Sequence, residues 1–334
     1  MRKREIRVAF VRCDTHAYWY GPFMFKCDPL KLQANNCVCH HFFTNMYQPS
    51  RWEIPCERGF RLAKVYDSDR KVAEKFAQTF TDSPEVCDSV EEMTDGIEAA
   101  FINNCDGDAS DHLRLAAPFL KKGIPTFIDK PFASTWKDAR AIVGLAKKHS
   151  APMMSCSLLM FTDEVPNMLR RSQEVGALRF GVIKGVNGWS TQAGLEGIAH
   201  GVAMGVATFG YDVDWVECMG DLPLEYISMH YSDGRKMLVM NTDGSFYGGK
   251  FVVEVWGQRA TSNTPVRTNL QSEGTGDPEF LKAGPKVVKL FKQLVQIRKP
   301  PIPYEQTLTW MRIIEAARRA QQTGKRVHLS SIRS

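Results

Sequence analysis

The stretch Gly123-Ile-Pro-Thr-Phe-Ile-Asp-Lys-Pro131 decides the fold. Its apolar part, Pro125–Ile128, predicts a short buried strand that ends directly in polar residues. Ser134 or Thr135 can then cap a helix that continues to about His149. A strand followed by a capped helix indicates a β-α unit.

Earlier segments repeat this alternation of strand and helix. The predicted strands are Ile6–Val11, Phe60–Tyr66 and Ala99–Ile102, and the predicted helices are Ser68–Phe80 and His112–Lys122. Repeated β-α units are typical of a parallel sheet with helices on both faces. We therefore expect an α/β fold for the first half of the chain.

The second half changes character near Ala151 and Pro152, where helices no longer separate the strands. The predicted strands are Leu178–Val186, Trp215–Met219, Leu224–His230, Lys236–Met240 and Lys250–Trp256, and the predicted helices are Glu164–Gln173, Pro285–Ile297 and Tyr304–Gln322. Short strands joined by tight turns indicate an antiparallel sheet.

Length and pattern together predict two domains, because a domain holds roughly 150 residues and the chain has 334. The first domain, residues 1–150, carries an insertion at about 18–59 that is rich in aromatic residues, Cys and His. We expect those aromatic residues to form an interface or a pocket lid. The second domain, residues 151–334, is predicted to be α+β with an open, mainly antiparallel sheet. A helix at about 304–322 is expected to pack back on the first domain.

Composition and charge exclude several classes of protein. Hydrophobic residues at 43% and charged residues at 24% exclude a disordered or fibrous chain. The net charge of +6 is scattered, so we expect no nucleic-acid partner. No window approaches the ~18 apolar residues of a membrane helix, so we expect no membrane partner. Nine cysteines, an odd number without an export signal, favour reduced thiols and a cytoplasmic location.

Three segments resemble signatures of the Gfo/Idh/MocA family of sugar and polyol oxidoreductases. Asp129-Lys-Pro131 after a strand is similar to that family's acid-Lys-Pro signature, and Glu196-Gly-Ile-Ala-His200 to its Asp-x-x-x-His motif. The segment from Ile302 to Val327 resembles its closing helix and last strand. The resemblance implies a Rossmann-like dinucleotide-binding domain and a C-terminal domain whose open sheet forms the interface of a homo-oligomer.

The resemblance also implies which residues carry the chemistry. Lys130 and His200 are expected beside the nicotinamide ring and a carbohydrate substrate, with Glu196 in support. Histidine suits removal of a hydroxyl proton because its reference pKa is about 6.5. A lysine ammonium can stabilise the developing alkoxide. We therefore expect hydride transfer between NAD or NADP and a secondary alcohol of a sugar, glycoside or polyol.

The turn after the first strand departs from the usual dinucleotide motif. Gly-x-Gly-x-x-Gly normally stands there, so that the backbone can approach the pyrophosphate. In this chain the turn reads Arg12-Cys-Asp-Thr-His-Ala17 and contains no glycine. Asp14 would repel phosphates, whereas the planar guanidinium of Arg12 can pair with one. We expect both side chains to touch the cofactor.

Other candidate cofactor-binding residues follow the strands of the first domain. Asp67 ends the second strand and favours NAD over NADP, because its carboxylate would repel a 2′-phosphate. The remaining candidates follow the first, third and fourth strands: His16, Asp108, His112, Asp129 and Lys130. Side chains at these strand ends are expected to face the cofactor or another ligand.

Two alternatives to the dehydrogenase hypothesis stay open. His16, Glu196 and His200 could form a two-His, one-carboxylate metal site. That site would suit a lyase or hydrolase acting on an already oxidised sugar, with dinucleotide binding reduced or lost. The other alternative is a non-catalytic binding subunit. Zinc at Cys37-Val-Cys-His-His41 is disfavoured because the spacing is too compact for one ion.

Overall fold

The computed structural model describes residues 4–35, 39–104, 108–187, 195–221, 224–242, 250–258, 269–274 and 277–332. It divides into two compact units. The first unit comprises Met1–Cys156 and Leu281–Tyr304, and the second comprises Ser157–Phe280 and Glu305–Ser334. The sequence prediction placed all residues after 150 in the second domain, whereas the structure places 281–304 with the first unit.

The first unit contains a parallel sheet flanked by helices. Its strands are β1 Ile6–Val11, β2 Phe60–Tyr66, β3 Glu85–Val86, β4 Ala99–Ile102, β5 Thr126–Ile128 and β6 Met153–Met154. Its helices are α1 Thr15–Met24, α2 Pro29–Asn35, α3 Cys39–Asn45, α4 Arg70–Thr79, α5 His112–Lys121 and α6 Trp136–Lys148. The strand order β3-β2-β1-β4-β5-β6 is that of the Rossmann fold.

Local signals position the elements of this sheet. Residues 8–11 and 99–102 are completely buried, as expected for the central strands of a sheet covered on both faces. The side chain of Asp69 caps α4 by accepting the Lys71 N–H, and Thr135 caps α6 by accepting the Asp138 N–H. The chain reverses its direction of strand addition between β1 and β4, so their carboxyl ends border the crevice where such sheets bind ligands.

The first helix differs from the sequence prediction, which placed an insertion from about residue 18. In the structure α1 already begins at Thr15, directly after β1, and continues to Met24. Its aromatic residues lie in the core: the Tyr20 ring contacts Phe101 at 5.0 Å and Phe127 at 5.2 Å between centroids. The expectation of a lid or interface is therefore wrong for these residues. Trp52, further along the chain, is 59% exposed.

The segment 281–304 belongs to the first unit because it completes the aromatic core. It includes most of helix α9, Asp277–Ile297, whose Phe291 is fully buried. The Phe291 ring lies 5.0 Å from Phe101, 6.1 Å from Phe60 and 6.5 Å from Phe127 between centroids. One side chain therefore contacts three strands of the parallel sheet.

The second unit contains a mixed, mostly antiparallel sheet in the order β12-β11-β7-β10-β9-β8-β13. Its strands are β7 Ala177–Asn187, β8 Val213–Asp221, β9 Leu224–Tyr231, β10 Lys236–Thr242, β11 Val252–Gln258, β12 Asn269–Gln271 and β13 Val327–His328. Its helices are α7 Glu164–Arg171, α8 Leu195–Phe209 and α10 Tyr304–Thr323, of which only Tyr304 is grouped with the first unit. Pairing is parallel between β7 and β10 and antiparallel between the other neighbours. The predicted fold class is confirmed.

The last long helix, α10, makes contacts within the second unit. The indole N–H of Trp310 donates a hydrogen bond of 3.1 Å to the carbonyl of Ala199 in α8. The Cys218 thiol in β8 lies 3.2 Å from the carbonyl of Ala317. That this helix also packs on the first domain stays a prediction.

Across the described ranges, no helix is both long and apolar enough to span a membrane. The chain's long helices, α8, α9 and α10, instead combine buried residues with polar ones.

Two helical glycines provide a matched test of core packing. A Cβ at Gly284 in α9 would lie 2.1 Å from the ring of Phe23, which is itself buried, whereas a Cβ at Gly144 in α6 would meet nothing within 4 Å. Gly284→Ala is expected to lower the free energy of unfolding by about 1–3 kcal/mol. Gly144→Ala is expected to raise it by about 0.5–1 kcal/mol, because alanine favours helix.

Urea unfolding monitored by circular dichroism measures both changes. Equal effects of the two substitutions on the unfolding midpoint would contradict the tight packing of α9 against α1.

Candidate active site

Polar side chains collect at the carboxyl edge of the parallel sheet. Arg12 follows β1, Asp67 follows β2, Asn103 follows β4, and Asp129 and Lys130 follow β5. Because the strands are parallel and adjacent, their carboxyl ends meet at this edge. The edge therefore brings together most of the candidate residues of the first domain.

The carboxylate of Asp129 is fully buried and connects helix α1 to the loop after β5. Its Oδ1 accepts the backbone N–H of Lys130 at 2.8 Å, and its Oδ2 forms a hydrogen-bonded pair with Nδ1 of His16. A buried carboxylate is stable only when hydrogen bonds or opposite charge compensate its lost hydration. Asp129 thus ties the first turn of α1 to the loop that carries Lys130.

The side chain of Lys130 is mostly buried in the first unit. The residue is only 5% exposed, and within the described part of the chain its Nζ has no hydrogen-bond or ion-pair partner. Lysine is almost never buried without a partner in a purely structural role. This side chain is therefore the strongest indication of a ligand-binding site at the edge.

Arg12 joins three elements of the edge. Its guanidinium donates to Asp111 Oδ2 at 2.7 Å and to the hydroxyl of Ser68, and it lies 3.7 Å from Asp67 Oδ1. Burial lowers its pKa, but the hydrogen bond and charge of Asp111 and the charge of Asp67 outweigh that effect and raise the pKa. Arg12 consequently stays charged at any physiological pH.

Asp14 caps α1 at the edge. Its carboxylate accepts the N–H of His16 at 3.0 Å, so it occupies one of the donors that a helix N-terminus offers to an anion. The neighbouring Cys13 is buried, and burial together with the charge of Asp67 raises its pKa well above the usual range. Its thiol is therefore not an activated nucleophile.

Asp67 holds the two turns at the ends of β1 and β2. Its Oδ2 accepts the N–H of Cys13 at 2.8 Å, and its Oδ1 accepts the N–H of Asp69 at 3.0 Å. The helix cap of α4 is Asp69, so Asp67 is not needed as a cap. Its position at the end of β2 is where an acidic residue binds the ribose in Rossmann domains.

His112 differs from the expectation that it faces the cofactor, whereas the role of Asp108 stays a prediction. The His112 ring is fully buried, with Nε2 2.9 Å from the Asn104 carbonyl and Nδ1 3.1 Å from the Phe132 carbonyl. It therefore holds two loops together. Asp108 is exposed and accepts the Ser110 N–H at 2.9 Å, as in an ordinary turn, and hydrogen bonds from Ser110 lower its pKa.

Sequence reasoning missed three residues of this network: Ser68, Asn104 and Asp111. Asp111 accepts from both Asn104, at 2.5 Å, and Arg12, at 2.7 Å. The signal was present in the polar stretch after β4, but a sequence does not show which of several neighbouring aspartates meets an arginine from another loop.

His200 and Glu196 both fall on α8 in the second unit, four residues apart. The Nδ1 of His200 and the hydroxyl of Ser157 lie 2.7 Å apart, and the ring lies near Phe251 and Phe280, at 5.7 and 6.1 Å between centroids. The side chain of Glu196 lies outside the described residues. That Lys130 and His200 act on one substrate stays a prediction.

The metal hypothesis gains no support from the residues that the structure describes. Among them, no group of three or more His, Cys, Asp or Glu could hold a metal ion. His16 already uses Nδ1 in its pair with Asp129. The side chains of Cys37, Cys39 and His40 lie outside the described residues.

The turn after β1 has one backbone feature in common with the usual dinucleotide motif. Arg12 has a φ of 67°, the left-handed conformation that the first glycine of the motif normally provides. Ala17, at the position of the third glycine, is small and completely buried. The Nε of Arg12 is buried and has no hydrogen-bond partner among the described residues. These features and the Lys130 ammonium fit a nicotinamide dinucleotide, whereas Asp14 at the second glycine position adds a like charge.

The sheet order and the residues at its edge define a Rossmann-like domain of the kind that nicotinamide-dependent enzymes use. Residues 41–156 match the family model GFO_IDH_MocA, described as "Oxidoreductase family, NAD-binding Rossmann fold". The resemblance to the Gfo/Idh/MocA family is therefore confirmed, and the matched family is one of NAD-binding oxidoreductases. The matched range starts after the turn Arg12–Ala17. No curated protein matches the sequence.

Solved structures match over nearly the whole chain at low identity. An oxidoreductase from Agrobacterium radiobacter, in complex with NAD+, L-tartaric acid and magnesium, shares 13% identity at a TM-score of 0.72, covering 98% of this chain and 100% of its own. A myo-inositol dehydrogenase from Lactobacillus casei, in complex with NAD(H) and myo-inositol, shares 14% identity at a TM-score of 0.71. The match covers 97% of this chain and 96% of that protein. A myo-inositol dehydrogenase from Corynebacterium glutamicum shares 16% identity at a TM-score of 0.71, and the match covers 97% of this chain and 99% of that protein. At such identities the likeness shows the fold.

The Asp129 linkage is testable by stability. Asp129→Ala leaves the N–H of Lys130 and the ring of His16 without their buried acceptor, so we expect the free energy of unfolding to fall by about 1–3 kcal/mol. As a control, Asp88→Ala removes an exposed carboxylate paired with Arg70. This substitution is expected to change the free energy of unfolding by less than about 0.5 kcal/mol.

Thermal and urea unfolding of the two variants and the native chain measure the difference. If Asp129→Ala were as stable as Asp88→Ala, the buried carboxylate would not hold helix α1 and the loop after β5 together.

Proposed function

We propose that this chain is an NAD(P)-dependent oxidoreductase that moves a hydride between a nicotinamide dinucleotide and a secondary alcohol of a sugar, glycoside or polyol. The proposal is carried by Lys130 at the carboxyl edge of a Rossmann-like sheet, because the residue is 5% exposed and its ammonium has no hydrogen-bond or ion-pair partner among the described residues. The family-model match over residues 41–156 and the fold shared with dinucleotide-bound structures support it. The nicotinamide, when bound, supplies the acceptor or donor of the hydride.

Lys130 stabilises the negative charge that develops on the reacting oxygen. Its ammonium donates a hydrogen bond to that oxygen, and burial strengthens the interaction because little water competes. Asp129 positions the lysine by accepting its backbone N–H, and the charge of Asp129 is in turn held by His16. The carboxylate therefore fixes the loop and leaves the ammonium for the substrate.

His200 exchanges the hydroxyl proton. The Ser157 hydroxyl contacts Nδ1 and fixes the orientation of the ring, so we assign the proton transfer to the other ring nitrogen, Nε2. The rings of Phe251 and Phe280 lie beside the imidazole, and we propose that they shield one side of it. Glu196, one helical turn earlier on α8, is proposed to support His200 or to bind another hydroxyl of the substrate.

Asp67 is proposed to select NAD over NADP. Its carboxylate stands at the end of β2, where the adenosine ribose lies in Rossmann domains, and would repel a 2′-phosphate. The bonds that it accepts from Cys13 and Asp69 keep the carboxylate in place. Asp14, His16 and Arg12 lie at the same edge and are proposed to line the rest of the cofactor site.

A homo-oligomer through the C-terminal sheet and a cytoplasmic location complete the proposal. Strands β7 and β11 of that sheet carry partly exposed aromatic residues, Phe180 and Trp256, whose ring centroids lie 5.1 Å apart. An aromatic sheet face of this kind is suited to contact with a second copy of the chain. Size-exclusion chromatography with light scattering tests the oligomer, and a monomer at micromolar concentration would contradict it.

Lys130→Met tests the proposed chemistry. The apolar side chain keeps the length of lysine but cannot stabilise an alkoxide, so we expect kcat to fall by about 10²- to 10³-fold. The reaction is followed by NADH absorbance with myo-inositol and a panel of sugars and polyols. Binding of NADH, measured by fluorescence titration, is expected to change only a few-fold.

Lys122→Met is the matched control, because its ammonium is half-exposed and pairs with Asp95 at 2.6 Å. It should retain full turnover. Full turnover of Lys130→Met would remove the proposed chemistry from Lys130, and failure of the native chain to bind either dinucleotide would overturn the proposed function itself.

A further inference from the structure

The phosphate-binding part of the cofactor site is built differently in this chain. In a Rossmann domain the glycines let the pyrophosphate approach the backbone at the N-terminus of the first helix. Here the second glycine position holds Asp14, whose carboxylate accepts the His16 N–H. The donors at this helix end are therefore partly occupied, and a pyrophosphate placed there would face a negative charge.

A neutralising charge must then come from a side chain. Carboxylates at this edge include Asp14, Asp67, Asp111 and Asp129. Two other arginines contact residues around this edge, Arg70 at the start of α4 and Arg114 beside Asp111. Arg70 is half-exposed and pairs with Glu74 and Asp88. Arg114 is 62% exposed and lies 3.7 Å from Asp111.

Arg12 has the position and the chemistry for a phosphate. It occupies the first glycine position itself, with the left-handed backbone of that glycine, and its side chain is 20% exposed. Its buried Nε has no hydrogen-bond partner in the described part of the chain, although its terminal nitrogens meet Asp111 and Ser68. A guanidinium binds phosphate and carboxylate in the same two-pronged way, so one partner can replace the other.

We propose that Arg12 binds the pyrophosphate of the dinucleotide and replaces the glycine turn as the phosphate-binding element of this chain. On binding, the guanidinium exchanges part of its contact with Asp111 for phosphate oxygens, while Asp67 remains beside it. The proposal rests on the proposed function, because it needs a dinucleotide at this edge. It differs from the family pattern in one measurable respect. The substitution Arg12→Gly, which restores the first glycine of the usual motif, should weaken binding of the dinucleotide.

The test is calorimetric titration of the full chain with NADH and with ADP-ribose, a probe that carries the pyrophosphate but no nicotinamide. We expect Arg12→Gln and Arg12→Gly to weaken the binding of both ligands by about 10- to 100-fold, as expected for loss of a charge-assisted hydrogen bond. Arg114→Gln, which removes the other arginine near Asp111, is expected to leave both affinities unchanged within about two-fold.

Arg12→Lys covers the case in which the other variants fail to fold. It keeps the positive charge but loses the planar fork, and we expect affinity to fall by several-fold, less than in Arg12→Gln. Circular dichroism establishes that each variant is folded. Unchanged or tighter binding by a folded Arg12→Gly or Arg12→Lys would overturn the proposal in favour of the glycine-type turn.

A second substitution tests the same idea from the opposite side. Asp14→Ala removes the like charge and frees the His16 N–H, so we expect tighter binding of ADP-ribose by several-fold. Weaker binding in folded Asp14→Ala would contradict the proposed repulsion at the helix end.

Comparing the affinities for NADH and NADPH identifies which phosphate group of the dinucleotide Arg12 contacts. Loss of affinity for both ligands in Arg12→Gln supports the pyrophosphate, whereas a loss confined to NADPH would overturn it in favour of the 2′-phosphate. Binding by the native chain together with unchanged binding by Arg12→Gln refutes the inference alone, whereas absence of binding by the native chain refutes the proposed function.

Discussion

The geometry of the candidate site depends on the buried carboxylate of Asp129. Its negative charge, removed from water, requires both of its partners, the His16 ring and the Lys130 backbone. Because one partner lies in helix α1 and the other in the loop after β5, the same constraint that stabilises the charge also sets where the lysine stands relative to the turn after β1. The arrangement of side chains at this edge therefore follows from the need to compensate the lost hydration of the Asp129 carboxylate.

The fold could be predicted from sequence where the hydrophobic pattern is strong. The strands Phe60–Tyr66 and Ala99–Ile102 appear with the predicted bounds, because apolar runs bounded by turn residues specify buried strands. Helix α1 was missed because it is apolar on nearly all sides and contains Gly21 and Pro22, which are typical of turns. The two-residue strands β3 and β6 are too short to have a periodic pattern.

The candidate site was predictable in its location and less so in its contacts. Parallel strands bring their carboxyl ends to one edge, and this rule placed Arg12, His16 and Asp129 there. The partners of a long side chain depend on the paths of several loops, which no local sequence pattern specifies. The contact between Arg12 and Asp111 was therefore not predicted. For the same reason His112 was assigned to the ligand, although backbone carbonyls surround its ring.

Phe291 also bears on how the chain folds during synthesis. The ribosome makes the whole segment 157–280 before the residue that fills the space between Phe60, Phe101 and Phe127 emerges. Until then the N-terminal sheet carries an uncovered aromatic surface, which favours self-association of nascent chains. Because the first unit consists of two separate segments of the chain, its core can be completed only after most of the second unit has been translated.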